Sequence, residues 1–136
     1  MKLKQLRESA VLCAMIFAAT LLGCSSSKPV SGLKGKVTYK GEAVADAKVQ
    51  VQSPANGGAG MGKTDGTGAY TIAELPPGKY NVTVAPFEEP PPAPLPPNYA
   101  PKDNPKIPKK YRNSTTSGLT FEAKPGSNEF NIPMVD

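Results

Sequence analysis

The chain has 136 residues, with 16 Lys and Arg against 11 Asp and Glu for a net charge of +5. It has no histidine and no tryptophan, two cysteines, 16 prolines and 13 glycines. Lack of histidine removes the commonest general base and a leading metal ligand. So much proline and glycine, without a collagen period, excludes a mainly helical protein and points to turns, strand ends and extended loop.

The first segment is not part of any fold. Lys2, Lys4 and Arg7 form a positive head, Ala10 to Leu22 an uncharged and mostly apolar run, and Gly23, Cys24 and Ser25 are small. That order is a secretory signal peptide over residues 1–23, and the run is too short to cross about 30 Å of hydrocarbon as a helix. Leu21-Leu22-Gly23-Cys24 resembles a bacterial lipobox, in which the cysteine is acylated and becomes the first mature residue. A residue smaller than Leu22 is usual there. The resemblance implies lipidation at Cys24 and attachment to a bacterial membrane. Ser25 after the cysteine favours the outer membrane over the inner. Two or three acyl chains anchor durably where one does not. Residues 24–30 then read as a short polar tether.

Without residues 1–23 the chain keeps 113 residues, 13 of them basic and 10 acidic. One domain fits that length, and a charge of +3 does not suggest a nucleic-acid partner. Cys13 leaves with the signal and Cys24 is acylated, so the mature domain has no free thiol and no disulfide. Its stability has to come from packing.

From Leu33 to Tyr39 the sequence alternates, with Leu33, Gly35, Val37 and Tyr39 inward, and Lys40-Gly41 turns it. Ala47 to Ser53 is a second strand with Ala47, Val49 and Val51 inward, stopped by Pro54. Asn56 to Gly60 is a flexible connection, and Met61 to Thr64 a short third strand. Asp65-Gly66 with Gly68 makes a tight hairpin turn, after which Tyr70 and Ile72 open the next strand. Leu75-Pro76-Pro77-Gly78 turns again, and Lys79 to Ala85 carries Tyr80, Val82 and Val84 inward. Residues 86–108 hold ten of the prolines, and Pro90 to Pro97 reads as stiff, solvated polyproline II. Leu119, Phe121 and Ala123 form a strand, Lys124 to Ser127 a turn, and Phe130 and Ile132 belong to the last strand. Six or seven short strands with frequent turns predict an all-β sandwich.

Candidate chemistry is sparse. The glycines after Asn56 do not precede a helix, as a phosphate loop requires. Asp65 lacks the further carboxylates of a calcium loop. Glu88 and Glu89 are adjacent, so on extended chain they point to opposite sides and make poor acid–base partners. Serine–lysine catalysis has no pair that the sequence brings together. The expectation is therefore no catalytic residue, no metal and no cofactor. Sugar platforms favour exposed aromatics, and Tyr99 and Tyr111 at the edges of the proline-rich segment are the candidates for ligand contact.

Several spaced motifs carry a family likeness. Gly35-Lys36-Val37-Thr38-Tyr39-Lys40-Gly41-Glu42-Ala43-Val44-Ala45-Asp46-Ala47 resembles the opening of carboxypeptidase regulatory-like domains. So do Lys63-Thr64-Asp65-Gly66-Thr67-Gly68-Ala69-Tyr70 and Leu75-Pro76-Pro77-Gly78-Lys79-Tyr80. Family members commonly have proline where Ala43 or Val44 stands. The closing stretch from Ile107 to Phe130 resembles small lipoproteins abundant in planctomycete bacteria. The likeness implies a seven-stranded Greek-key sandwich of the transthyretin (prealbumin) type over residues 31–134, with the proline-rich insertion 86–108 before the last two strands. It makes Gly41, Asp65, Gly68, Tyr70, Pro77, Gly78 and Tyr80 structural. Tyr111-Arg112-Asn113-Ser114 echoes the closing tetrapeptide of transthyretin-like hydrolases of the purine pathway. Those enzymes need histidines, and their tetrapeptide ends the chain. The expected function is a lipid-anchored envelope module that binds, spaces or supports without catalysis. Carbohydrate binding is the alternative, with an envelope protein or polysaccharide as partner and the oligomeric state open.

Overall fold

The structure is a computed structural model that describes residues 30–136. The expected signal peptide, Cys24 and the tether up to residue 29 lie outside the described residues. Alternating apolar positions become strands because each strand can bury one face and wet the other. Strand β1 (Ser31–Tyr39) buries Leu33 and Val37, β3 (Ala47–Gln52) buries Ala47, Val49 and Val51, and β6 (Gly78–Pro86) buries Tyr80, Val82 and Val84. The remaining strands are β2 (Glu42–Ala43), β4 (Ala59–Lys63), β5 (Ala69–Leu75), β7 (Leu119–Ala123), β8 (Gly126–Glu129) and β9 (Ile132–Met134).

They form two sheets. In the first, β5 and β2 pair antiparallel with β1 along one edge, and β8 and β9 run parallel to β1 along the other. The second sheet has the order β4-β3-β6-β7, all antiparallel. Their facing sides enclose the core, where Leu33, Val37, Val51, Ile72, Leu75, Tyr80, Val82, Val84, Ile132 and Met134 are almost wholly buried. Fully burying one such side chain contributes about 1.5–3 kcal/mol. The all-β sandwich is therefore built on the alternation in the sequence.

Three expectations need correction. Among the described residues there are nine strand segments where seven were expected. One of the extra pair is β2, two residues folded back on β1 through Lys40 (φ +51°) and Gly41 (φ +87°), the doubly left-handed turn of a two-residue hairpin. The other comes from a break at Phe130-Asn131 that divides the last strand, so three strands follow the proline-rich loop and not two. The turn at Asp65 forms as expected, with Gly68 N–H donating to the Asp65 carbonyl at 3.0 Å. It is not a hairpin, because it carries the chain from β4 in one sheet to β5 in the other.

Candidate functional site

β1 gives the sandwich two ends. Ser31 sits beside Leu75 and Gly126 at one, and Tyr39 beside Glu42 and Met134 at the other. The proline-rich loop leaves and returns at the Tyr39 end. Pro86 pairs with Ala47, and the Phe87 N–H donates to the Asp46 carbonyl at 2.9 Å. Lys63 Nζ lies 2.9 Å from Asp46 Oδ1 and 4.4 Å from the centre of the Phe87 ring. On the way back, Lys106 Nζ meets Glu42 Oε2 at 2.7 Å, and Ile107 plugs into the core at 1% exposure. Arg112 then locks the return. Its Nη2 donates to Asp103 Oδ1 (2.7 Å) and to the carbonyls of Ile107 (2.8 Å) and Asn104 (3.2 Å), and its Nε to Ile107 again (3.1 Å).

Between these fastenings every residue from Glu88 to Asp103 is exposed. Tyr99 is 39% exposed and Leu95 60%. The polyproline II run expected over Pro90 to Pro97 is interrupted: the chain bends at Ala93-Pro94, and the Tyr99 N–H donates to the Pro96 carbonyl at 3.1 Å, which folds the loop back on itself. A recess of about 200 Å³ results, lined by Glu88, Glu89, Pro90 to Pro92, Tyr99, Ala100 and Lys102.

Tyr111 does not join Tyr99. A single 3-10 turn, Lys109–Arg112, follows Pro108 and swings the Tyr111 ring into the core, leaving 6% exposed. Its hydroxyl accepts the Val135 N–H at 3.2 Å. The expectation of an exposed ring at Tyr111 is therefore corrected: it is a packing residue. The signal available in the sequence was the spacing of Ile107 and Tyr111, four apart around Lys109 and Lys110. Cys24 lies outside the described residues.

Arg112, Asn113 and Ser114, echoes of the hydrolase tetrapeptide, serve a different surface. With Gln50, Gln52, Asn81 and Thr83 on the outer face of β3 and β6, they line a polar trough of about 250 Å³. The outer face of the first sheet is broader and bears Lys34, Lys36, Thr71, Glu129 and Asn131.

Five of the ten carboxylates among the described residues are committed to structural bonds. Hydrogen bonds and the charge of Lys106 hold the Glu42 carboxyl below its usual range, and Lys63 does the same for Asp46. Arg112 lowers Asp103, and Lys40 with Tyr39 lowers Asp136. Asp65 is lowered by the Thr67 hydroxyl and by the backbone of Thr67 and Ala69. Among the described residues, no three His, Cys, Asp or Glu gather to hold a metal ion. No helix among them is long and apolar enough to cross a membrane.

The family motifs hold corners. Tyr70 donates its hydroxyl to the Phe130 carbonyl and Tyr80 to that of Pro76, both at 2.6 Å. Gly68 (φ +78°) takes a left-handed turn, and a Cβ there would sit 2.6 Å from the Val37 carbonyl oxygen.

With β1 to β6 described, the family likeness can be stated from comparison. Residues 32–88 match the family model of the carboxypeptidase regulatory-like domain, so the resemblance read from the motifs holds over that segment. This domain type is non-catalytic. The chain also has some similarity to the crystal structure of a DUF3823 family protein from Parabacteroides merdae. Identity is 17% and the TM-score 0.46, over 79% of this chain and 46% of that one. The chain thus spans under half the length of that protein. Comparison with curated proteins gave no match.

Proposed function

We propose that the chain is a lipid-anchored β-sandwich module of a bacterial envelope that works by contact and not by catalysis. Acyl chains on Cys24 hold it to the membrane, the outer one in preference to the inner. The observation that carries the non-catalytic part of this reading is that half of the carboxylates among the described residues are used up in ion pairs and hydrogen bonds of the framework. Glu42, Asp46, Asp65, Asp103 and Asp136 are all held in the ionised form by partners that fasten turns or the long loop. A general acid or base instead needs a value tuned toward the working pH. The exposed segment between the loop fastenings is the surface offered to a partner.

The test is an intact mass of the protein recovered from membranes of its bacterial host, alongside Cys24→Ala. The expected species starts at Cys24, carries acyl mass and pellets with membrane, whereas Cys24→Ala stays unmodified and soluble. An unmodified, soluble wild-type chain would sink the anchored reading.

A carbohydrate-binding reading is second, favoured by the amide and hydroxyl lining of the trough at Gln50, Gln52, Asn81 and Thr83. Pull-down on insoluble polysaccharide, compared with Asn81→Ala and Tyr99→Ala, decides it. Tyr111→Ala is no test of binding, since that ring is in the core.

A further inference from the structure

β6 and β7 are antiparallel neighbours, and such pairs are ordinarily joined by two to five residues. Here the chain runs from Phe87 to Gly118 before β7 begins. Connections of that length are uncommon unless they work, and ordering one costs entropy that the sheets do not need to spend. Yet both ends of the proline-rich part are fastened: Phe87 to Asp46 and Lys63 on the way out, Lys106, Ile107 and Arg112 on the way back. What the fastenings hold up is Glu88 to Asp103, exposed throughout. Pro90, Pro91, Pro92, Pro94, Pro96 and Pro97 restrict its backbone before any partner arrives, which lowers the entropy lost on docking. Leu95 and Tyr99 supply the apolar contact.

Position adds to this. The chain enters the sandwich at Ser31, and the loop is fastened near Tyr39 at the other end of β1. Eight steps of a strand separate them by about 26 Å. With the chain anchored at Cys24, as proposed above, the loop is carried at the end of the sandwich opposite the one that the tether joins.

We infer that Glu88 to Tyr99 is a docking ligand for a second envelope protein, one presenting an aromatic-lined groove with basic residues at its rim. Aromatic grooves take proline segments whose backbone is restricted beforehand, and here that part is Pro90 to Pro92, ahead of the bend at Ala93-Pro94 and the turn at Pro96 that set Leu95 and Tyr99 beside it. Glu88 and Glu89, just ahead of Pro90, ask for cations at the rim, which steer association and set the register. This inference rests on the contact-module reading.

The experiment places a photo-cross-linking residue in the full-length protein at Leu95, at Tyr99, or at Thr71 on the outer face of the first sheet, in membranes of the bacterial host. The cross-linked peptides are then identified by mass. The expected result is one protein joined at positions 95 and 99 through a segment containing Trp, Tyr or Phe, with yields about tenfold above position 71. The triple variant Pro90→Ala/Pro91→Ala/Pro92→Ala loses the adduct with its urea midpoint unchanged, because those side chains are exposed. Glu88→Lys/Glu89→Lys lowers the yield and its dependence on salt. The inference is overturned by any of four results: no adduct at 95 and 99, equal yields at 71, an adduct to glycan, or an adduct that survives the triple variant. Cross-linking is read in the soluble and the membrane fraction alike, so failure of the Cys24 anchor shows separately from failure of the loop.

Discussion

Tyr70 on β5, Gly35 on β1 and Phe130 at the break between β8 and β9 act as one unit. Tyr70 pairs with Gly35 between β5 and β1, and its ring reaches past Gly35 to the Phe130 carbonyl beyond the far edge of β1. A Cβ on Gly35 would lie 1.9 Å from that carbonyl oxygen. Gly35→Ala should therefore push the β8–β9 junction off β1 and cost about 1–3 kcal/mol or more. Tyr70→Phe loses one hydrogen bond, about 1 kcal/mol, and leaves the Phe130 carbonyl short of a donor. Urea midpoints rank the two. Burial also raises the Tyr70 phenol above its ordinary value. Its contribution is thus complete below the unfolded value of about 10 and is lost as pH rises above it, so Tyr70→Phe should flatten the alkaline fall in stability. Asp65 works in the opposite sense. Its Oδ1 accepts the Thr67 N–H (2.8 Å), the Thr67 hydroxyl (2.7 Å) and the Ala69 N–H (3.1 Å), and its carboxyl is held below the usual range. What it adds is present above about pH 4 and fades as pH falls through the lower folded value. A urea series from pH 6 to pH 3 should show a shallower acid limb for Asp65→Asn, and an unchanged limb would show that the turn does not need the charge.

At the scale of elements, the long loop should behave as a part that can be released. Ile107→Ala empties a core site and should cost about 2–5 kcal/mol, with cleavage at Lys102 and Lys106 becoming faster. Arg112→Ala should speed the same cleavage with a smaller loss of global stability, since the guanidinium holds the loop and not the sheets. Limited trypsin digestion beside urea unfolding separates the two effects. The strands were legible because their cause is local: alternation at Leu33 and Val37, at Val49 and Val51, and at Val82 and Val84 is what a half-buried strand requires. The features that were not legible have tertiary causes. The break at Phe130 answers to a hydroxyl sixty residues earlier. Two residues in β2 are too few to show a period. Tyr111 turns inward because one 3-10 turn follows Pro108, and a single turn leaves only the Ile107–Tyr111 spacing as its trace. Of the candidate site, Tyr99 was legible as an aromatic in a proline-rich run. Its recess was not, because the fold-back at Pro96 brings together residues that lie up to 14 apart in sequence, from Glu88 to Lys102.

For the whole molecule, the decisive pairing is between the two ends of the described chain. β1 lies between β5 with β2 on one side and β8 with β9 on the other, so the first strand is completed by the last. Lys34 partners Glu129 and Val37 partners Ile132, pairs separated by 95 residues. Closing such a loop costs entropy before any contact repays it, and the cysteines at 13 and 24 supply no cross-link within the sandwich. The sandwich should therefore fold in milliseconds to seconds, in one cooperative transition that reductant does not shift. It also follows that the C-terminal strands are not an accessory. A chain ending at Pro125 would leave an edge of β1 unpaired and remove Ile132 and Met134, both fully buried, from the core over Leu33 and Val37. That truncation should show no cooperative urea transition by circular dichroism. Because a truncation can fail for trivial reasons, Ile132→Ala provides the graded version: the same fold, with a lower urea midpoint that corresponds to a stability loss of about 2–5 kcal/mol. A truncated chain that still melts cooperatively, or an Ile132→Ala protein as stable as the parent, would mean that the match over residues 32–88 marks a unit able to fold without β8 and β9.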